Sequence, residues 1–335
     1  MTSKENMELI FQHKQPEWIP HFGDETYSVR DYIVERPIRA TGYDAWGCHW
    51  ISCPDSLGYT FPDIKDVKFS ELSEWREKVK FPDLENLDSS SMVEGAKAYT
   101  GRDSKLLQYI SLNGIFERSH ILMGFENLLV QCMENPDEFS EFLRALAGHK
   151  ISLFQKVYDI CRPDVLLYHD DIAMQSSPFF SNDFYIKYIF PHYTRIAAAA
   201  GEIGYRYVMH HSCGRIENLI PDWLACGFDG WDSVMPCNDL PAIKRDYGDK
   251  IVFIPGMDTQ EVLGNPDSTR SDIEKMVVRW MEMLAGDGTG LLIDTNSSLS
   301  LNETNEAICL EFIRKHGKLF MDAKKAGEVY IPDYE

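Results

Sequence analysis

Long apolar runs are missing from this chain. No stretch of its 335 residues approaches the length of apolar sequence that a membrane span needs. An apolar leader is missing too. Met1–Glu17 is polar and mixes both charge signs, so no secretion signal is expected. Basic residues are scarce: 33 Lys and Arg stand against 53 Asp and Glu, a formal charge of −20. That balance argues against nucleic acid and against an anionic membrane surface, both of which attract clusters of Lys and Arg. The eight cysteines, at 48, 53, 132, 161, 213, 226, 237 and 309, form no CxxC pair and no dense framework. Free thiols in a reducing, cytoplasmic compartment are expected.

What is present is a large apolar fraction, 44% of the chain, in short runs set between helical patterns. The length suits one α/β barrel, and we expect a single domain over residues 1–335. Residues 1–100 read as an N-terminal extension with the start of the barrel, and 101–335 as the remaining βα units. Apolar runs at 106–112, 164–168, 205–210, 228–232, 251–254 and 290–293 read as buried strands. Helical patterns lie between them, at about 122–133, 137–160, 182–200, 215–225, 239–247, 270–286 and 302–326. Crossovers of this length join parallel strands. The expected fold is therefore α/β, a (β/α)8 TIM barrel with an N-terminal helical and loop extension.

In such a barrel, chemistry gathers at the carboxyl ends of the strands. Here those ends carry polar or metal-competent residues again and again. They read Glu25 after 18–22, Asn113 after 106–112, and His169, Asp170 and Asp171 after 164–168, with Gln175 in the following loop. His211 and Cys213 follow 205–210, Asp232 closes 228–232, Met257 follows 251–254, and Asp294 and Asn296 follow 290–293. His-x-Cys is a pair that zinc accepts, as imidazole nitrogen and thiolate. Asp170 and Asp171 are the acid–base candidates, because carboxyls at strand ends serve that role when their surroundings tune them. Trp46, Phe116 and Trp231 offer aromatic faces for stacking. Taken singly, each of these is also what a loop residue satisfying backbone groups looks like.

Several segments together resemble the uroporphyrinogen decarboxylase superfamily, in its corrinoid-dependent methyltransferase branch. They are Gly114-Ile-Phe-Glu-Arg118, His169-Asp-Asp171 with Gln175 and Ser177-Pro178, His211-Ser-Cys-Gly214, Ile220-Pro-Asp222, Asp239-Leu240, Tyr247-Gly-Asp249 and Pro255-Gly-Met-Asp-Thr-Gln260. The resemblance spans about residues 6–326. The decarboxylases carry an Arg-rich segment after the first strand that holds the substrate's carboxylates. Here that stretch is His21-Phe-Gly-Asp-Glu-Thr-Tyr27, with two acids and no arginine. An acidic pocket is expected, and the decarboxylase reading comes last. The branch implies zinc on His211, Cys213 and a further cysteine near the last strands. No cysteine lies at 290–298, so Asp294 becomes the expected third ligand, with Cys237 and Glu217 as alternatives.

Fewer thiolates make zinc a stronger Lewis acid. The resemblance then implies an O-demethylating methyltransferase acting on a methoxylated small molecule, an aryl methyl ether. It passes the methyl group to a corrinoid carried by a partner protein, and the resemblance admits a homodimer. The alternatives are methyl transfer from a methyl-corrinoid to tetrahydrofolate or a thiol, and a non-catalytic barrel that binds a tetrapyrrole or corrinoid.

Overall fold

A computed structural model describes residues 1–30, 32–37, 40–53, 60–258, 261–295 and 302–334. Its frame is a six-stranded parallel sheet of β1 (Thr26–Arg30), β5 (Leu106–Ser111), β6 (Val165–His169), β7 (Tyr207–His211), β8 (Gly230–Val234) and β9 (Val252–Pro255), in that order. Between β1 and β5 the chain adds an antiparallel sheet of β2 (Gly42–Tyr43), β3 (His49–Ser52) and β4 (Thr60–Pro62).

The parallel order continues past β9. Leu291 bridges Phe253 and Ile293 bridges His21, both parallel. Ile293 donates its N–H to Pro20 and accepts from Phe22, and one helical turn, Phe22–Glu25, then leads into β1. The parallel order thus runs on to the segment just before β1, in the arrangement of a TIM barrel. Strands such as β6, Val-Leu-Leu-Tyr-His, are buried along nearly their whole length, as a strand must be when helices cover one face and the barrel interior the other.

The helices start where local chemistry allows. Pro136 opens the long helix Pro136–Cys161, where a missing N–H costs nothing. Ser181, Asp239, Thr269 and Asn302 each accept a backbone N–H at a helix start. The expected helix over 182–200 is broken at Ile189, one residue before the segment Phe190–Ile203 that carries Pro191.

Two expectations need correction. Glu25 is expected at the carboxyl end of a strand over 18–22 with no strand directly after it, but Thr26–Arg30 is a full barrel strand. Its sequence alternates Thr-Tyr-Ser-Val-Arg, so it lacks the continuous apolar run that marks its neighbours. A helix, Ile115–Met123, also begins directly after Gly114, ahead of the expected start at 122. Residues 54–59 lie outside the described residues, and Thr60–Pro62 form β4. Among the described residues no helix is long and apolar enough to cross a membrane.

A buried ionic cluster fastens the insertion to the barrel. Arg118 reaches Glu35 at 2.6 Å and Asp44 at 2.7 Å, while Lys150 reaches Glu35 at 2.8 Å and the Leu112 carbonyl at 2.5 Å. All four side chains are at most 1% exposed, and their formal charges cancel. Burial works against a charged Glu35, but Lys150 and Arg118 outweigh it and hold the carboxyl below its ordinary range. Trp50 donates to the same Asp44 at 2.9 Å, and Trp46 lies under the Arg118 guanidinium.

Candidate active site at the carboxyl ends of the strands

A cavity of about 510 Å³ opens at the carboxyl ends of the barrel strands. Its chemistry converges on His211, the last residue of β7. Register places His211 beside His169 of β6 and Asp232 of β8. The His169 and His211 rings stack with centroids 3.9 Å apart and planes 7° off parallel.

The two nitrogens of His211 have different neighbours. Nδ1 lies 2.6 Å from Asp232 Oδ2. Nε2 faces Cys213 Sγ at 3.8 Å and Asp171 Oδ1 at 3.9 Å. Asp171 also accepts the Cys213 N–H at 2.7 Å, which ties the loop after β6 to the loop after β7. Gly214 lets the chain turn away: its φ is +90°, and a Cβ there would come within 2.7 Å of the Ala173 and Met174 carbonyl oxygens. Burial opposes a charged His211, yet Asp232 and Cys213 prevail and raise the imidazole well above its ordinary value. Burial and the charges of His211, Arg30 and Arg36 hold His169 well below its own.

Asp171, His211 and Cys213 form one donor group whose ligand atoms all lie within 4.8 Å of one another; His169, His211 and Asp232 form a second. The first fits zinc. It offers one oxygen, one nitrogen and one sulfur, a mixture zinc accepts with a fourth position open. Donors about 2.0–2.3 Å from a tetrahedral zinc lie roughly 3.5 Å apart, close to the separations seen. In that arrangement Asp232 holds the far nitrogen of the histidine ligand, as second carboxylates do behind metal-bound imidazoles.

The remaining expected residues fall into several places. Asn113 and Asp294 line the cavity with His169, Asp171, His211, Cys213 and Asp232. Asp294 stands apart from the donor group, with Oδ1 3.7 Å from His21 Nε2. Neither Cys237 nor Glu217 joins that group: Cys237 lies beside the Asn238 amide, and Glu217 binds Arg215 and the Asp239 N–H. Asp170 is fully buried and caps a helix. Its carboxylate accepts from the N–H groups of Phe116 and Glu117 and from the hydroxyls of Tyr193 and Tyr168, at 2.8–3.2 Å. Burial raises it to about 6 against the pull of those bonds.

The aromatic residues expected at the mouth are packed below it. Trp46 is core, Phe116 packs among Phe179, Phe180 and Phe125, and Trp231 donates to the Ser212 carbonyl. Met257 is buried with φ +46°. Glu25 accepts from Trp18 Nε1, and Gln175 is exposed on its loop. None of these six lines the cavity. Asn296 lies outside the described residues.

The cavity also holds residues that sequence reasoning did not single out: His21, Ser28, Arg30, Arg36, Gln108, Glu117 and Glu306. Burial, then Asp171 and Asp170, push the Glu117 carboxyl well above its ordinary value. Arg30 and Arg36 correct the expectation of a purely acidic pocket. Arg30 ends β1 and Arg36 directly follows the short helix Tyr32–Glu35, beyond the segment where the decarboxylases carry their arginines.

The fold and the site define a TIM-barrel protein with metal-competent groups at its mouth. The uroporphyrinogen decarboxylase (URO-D) family profile matches residues 112–297, more than half of the chain, and the chain belongs to that family. Among curated proteins none matches the sequence. Among solved structures, a methyltransferase from Methanosarcina mazei aligns with a TM-score of 0.72 at 12% identity, covering 94% of this chain and 99% of its own, so the two share a fold. A protein provisionally assigned as a vitamin-B12 independent methionine synthase, from Listeria monocytogenes, aligns over 72% of this chain and 70% of its own at 13% identity, with a TM-score of only 0.42.

Proposed function

We propose that this protein is a corrinoid-dependent methyltransferase that removes the methyl group of a methoxylated small molecule, an aryl methyl ether, and delivers it to a corrinoid on a partner protein. The observation that carries the reading is the Asp171–His211–Cys213 donor group on the wall of the cavity, backed by Asp232. These three residues would hold zinc. Zinc bound there supplies Lewis acidity, and a set with a single thiolate leaves it a stronger acid than a thiolate-rich set does. Ether cleavage needs that acidity, whereas methylation of a thiol needs a bound thiolate kept electron-rich.

The chain's own residues do the rest. Asp232 fixes the ring of His211 through Nδ1, leaving Nε2 to the cavity. Asp171 and Cys213 are held together by the bond between the Cys213 N–H and Asp171 Oδ1. In the transfer, the Co(I) corrinoid of the partner protein would supply the electron pair of the new methyl–cobalt bond, and the pair of the broken methyl–oxygen bond would stay on the oxygen. That oxygen then takes a proton. Glu117, which lines the cavity and whose buried carboxyl is pushed well above its ordinary value, replaces Asp170 as the candidate donor, because Asp170 is committed to its helix cap. The test is a screen of methoxylated aromatics with a reduced corrinoid protein, following the methyl–cobalt absorbance. Methyl transfer that disappears in Cys213→Ala supports the reading. Transfer at the wild-type rate in that variant contradicts it.

A further inference from the structure

We infer that the outer side of the barrel carries a second binding site, on the flank of the helix Arg270–Ala285, for a small molecule with an apolar body and a single carboxylate. The site arises from unequal helix lengths. Arg270–Ala285 has 16 residues and the helix before it, Leu240–Tyr247, only 8, about 24 Å of helix against about 12 Å. The shorter helix meets the longer one at its foot, where Lys244 reaches Asp287 at 3.1 Å. Above that contact the flank of the longer helix is left to the loops that follow β8 and β9.

Between that flank and the loops lies a cavity of about 310 Å³. It shares no lining residue with the cavity at the strand ends. Its wall is chiefly apolar. Met276, Trp280 and Met283 stand at helical spacing on one face, and Pro236 and Val262 come from the two loops. Methionine side chains adapt to the shape of what they meet. A cleft of this size, with an apolar wall and a few polar groups, is the kind of space that small ligands fill.

The polar groups left unspent in this cleft are all donors. Its two acids are engaged with the backbone and a hydroxyl: Asp272 accepts from the Thr269 N–H at 2.9 Å and the Thr269 hydroxyl at 2.6 Å, and Asp258 from the Glu261 N–H at 2.7 Å. Lys275 and Arg279, one helical turn apart, have no hydrogen-bond or ion-pair partner among the described residues. In a chain of formal charge −20 acids are plentiful, yet none closes on these two cations.

Trp280 adds a third donor. The residue is 4% exposed, and its indole N–H, which can only donate, has no acceptor among the described residues. A donor in so buried a ring calls for an acceptor from outside the chain. A carboxylate accepts from an indole N–H, an ammonium and a guanidinium alike, whereas an amine ligand would meet two like charges. The apolar body of the ligand then covers Met276, Met283 and Val262.

The experiment is calorimetric titration of the full chain with octanoate, octylamine and octanol, for wild type, Lys275→Gln, Arg279→Gln, Trp280→Phe and Cys213→Ala. Melting temperature reports on folding in each. We expect about one octanoate per chain, bound about 10-fold or more tightly than octanol or octylamine. Each substitution on the flank should weaken octanoate about 3- to 10-fold, the worth of a partly exposed charge-assisted hydrogen bond, and the two charge substitutions should leave octanol unmoved. Cys213→Ala should bind octanoate as wild type does. Octanol bound as tightly as octanoate, or octanoate bound equally by wild type and the flank variants, would overturn the site. Loss of binding in Cys213→Ala would place the ligand at the strand ends and overturn it too, as would the absence of octanoate binding at millimolar concentration.

Discussion

The Nδ1 atom of His211 lies 2.6 Å from Asp232 Oδ2, and this pair sets which nitrogen of the ring can meet a ligand. Asp232 belongs to β8 and His211 to β7, and the two are register partners. Their side chains meet because both stand at the carboxyl ends of parallel neighbours. Asp232→Asn keeps the size but weakens the hold on the imidazole. We expect zinc affinity to fall about 10- to 100-fold, measured by competition with a chromogenic chelator. Unchanged affinity would show that Asp232 does not orient a ligand.

Asp170 and Asp171 are adjacent and do different work. Asp170 closes the start of the helix Ile115–Met123, with Tyr168 satisfying the Ile115 N–H at 2.8 Å. Asp170→Ala leaves two buried N–H groups and two tyrosine hydroxyls without their acceptor. The loss expected is about 3 kcal/mol or more in denaturant unfolding. Asp171→Ala leaves that cap intact and should cost less than 1 kcal/mol or so in the metal-free protein. Equal losses in the two variants would refute this division.

Asp229 gives a test in pH. Burial raises its carboxyl to about 6, although the Val208 N–H donates to it at 2.7 Å. A raised carboxyl binds its proton more tightly in the folded state than in the unfolded one. Between the unfolded value, about 4, and 6, the folded chain therefore holds more protons, and stability falls as pH rises through that window. Asp229→Asn keeps an acceptor for Val208 and removes the titration. Its melting temperature should exceed that of wild type increasingly from pH 4 to 7, by up to about 2–3 kcal/mol in stability. A constant gap across that range would mean that Asp229 ionises as easily in the fold as outside it.

Much of the barrel was legible because its strands are short apolar runs that end in polar residues. β5, β6 and β9 are buried along nearly their whole length and β7 at its three central residues, and the amino-acid pattern says so directly. β1 was not legible, because one of its faces lines a polar cavity and supplies Ser28 and Arg30. With it went the arginines, and the cavity was read as acidic. At the site, His211 and Cys213 were legible from their spacing. Their carboxylate neighbour was not. Asp294 was expected from its place after the last strand, whereas Asp171 is brought to Cys213 by the pairing of β6 with β7. Which of two adjacent acids faces the cavity depends on a helix cap that links residues 54 positions apart. The aromatic residues failed for a related reason. Trp46 and Trp231 lie near strand ends in sequence, but their bulk is spent in the core.

The central claim is a metal held by Asp171, His211 and Cys213, and the most direct measurement is zinc content by elemental analysis. Wild type, Cys213→Ala, Asp171→Ala and Asp294→Ala would be purified without chelators and incubated with zinc. The account predicts about one zinc per chain in wild type and in Asp294→Ala, and its loss in Cys213→Ala and Asp171→Ala. Zinc kept by Asp171→Ala and lost by Asp294→Ala would move the third ligand to the far side of the cavity. No zinc in the wild-type protein would contradict the metal site altogether.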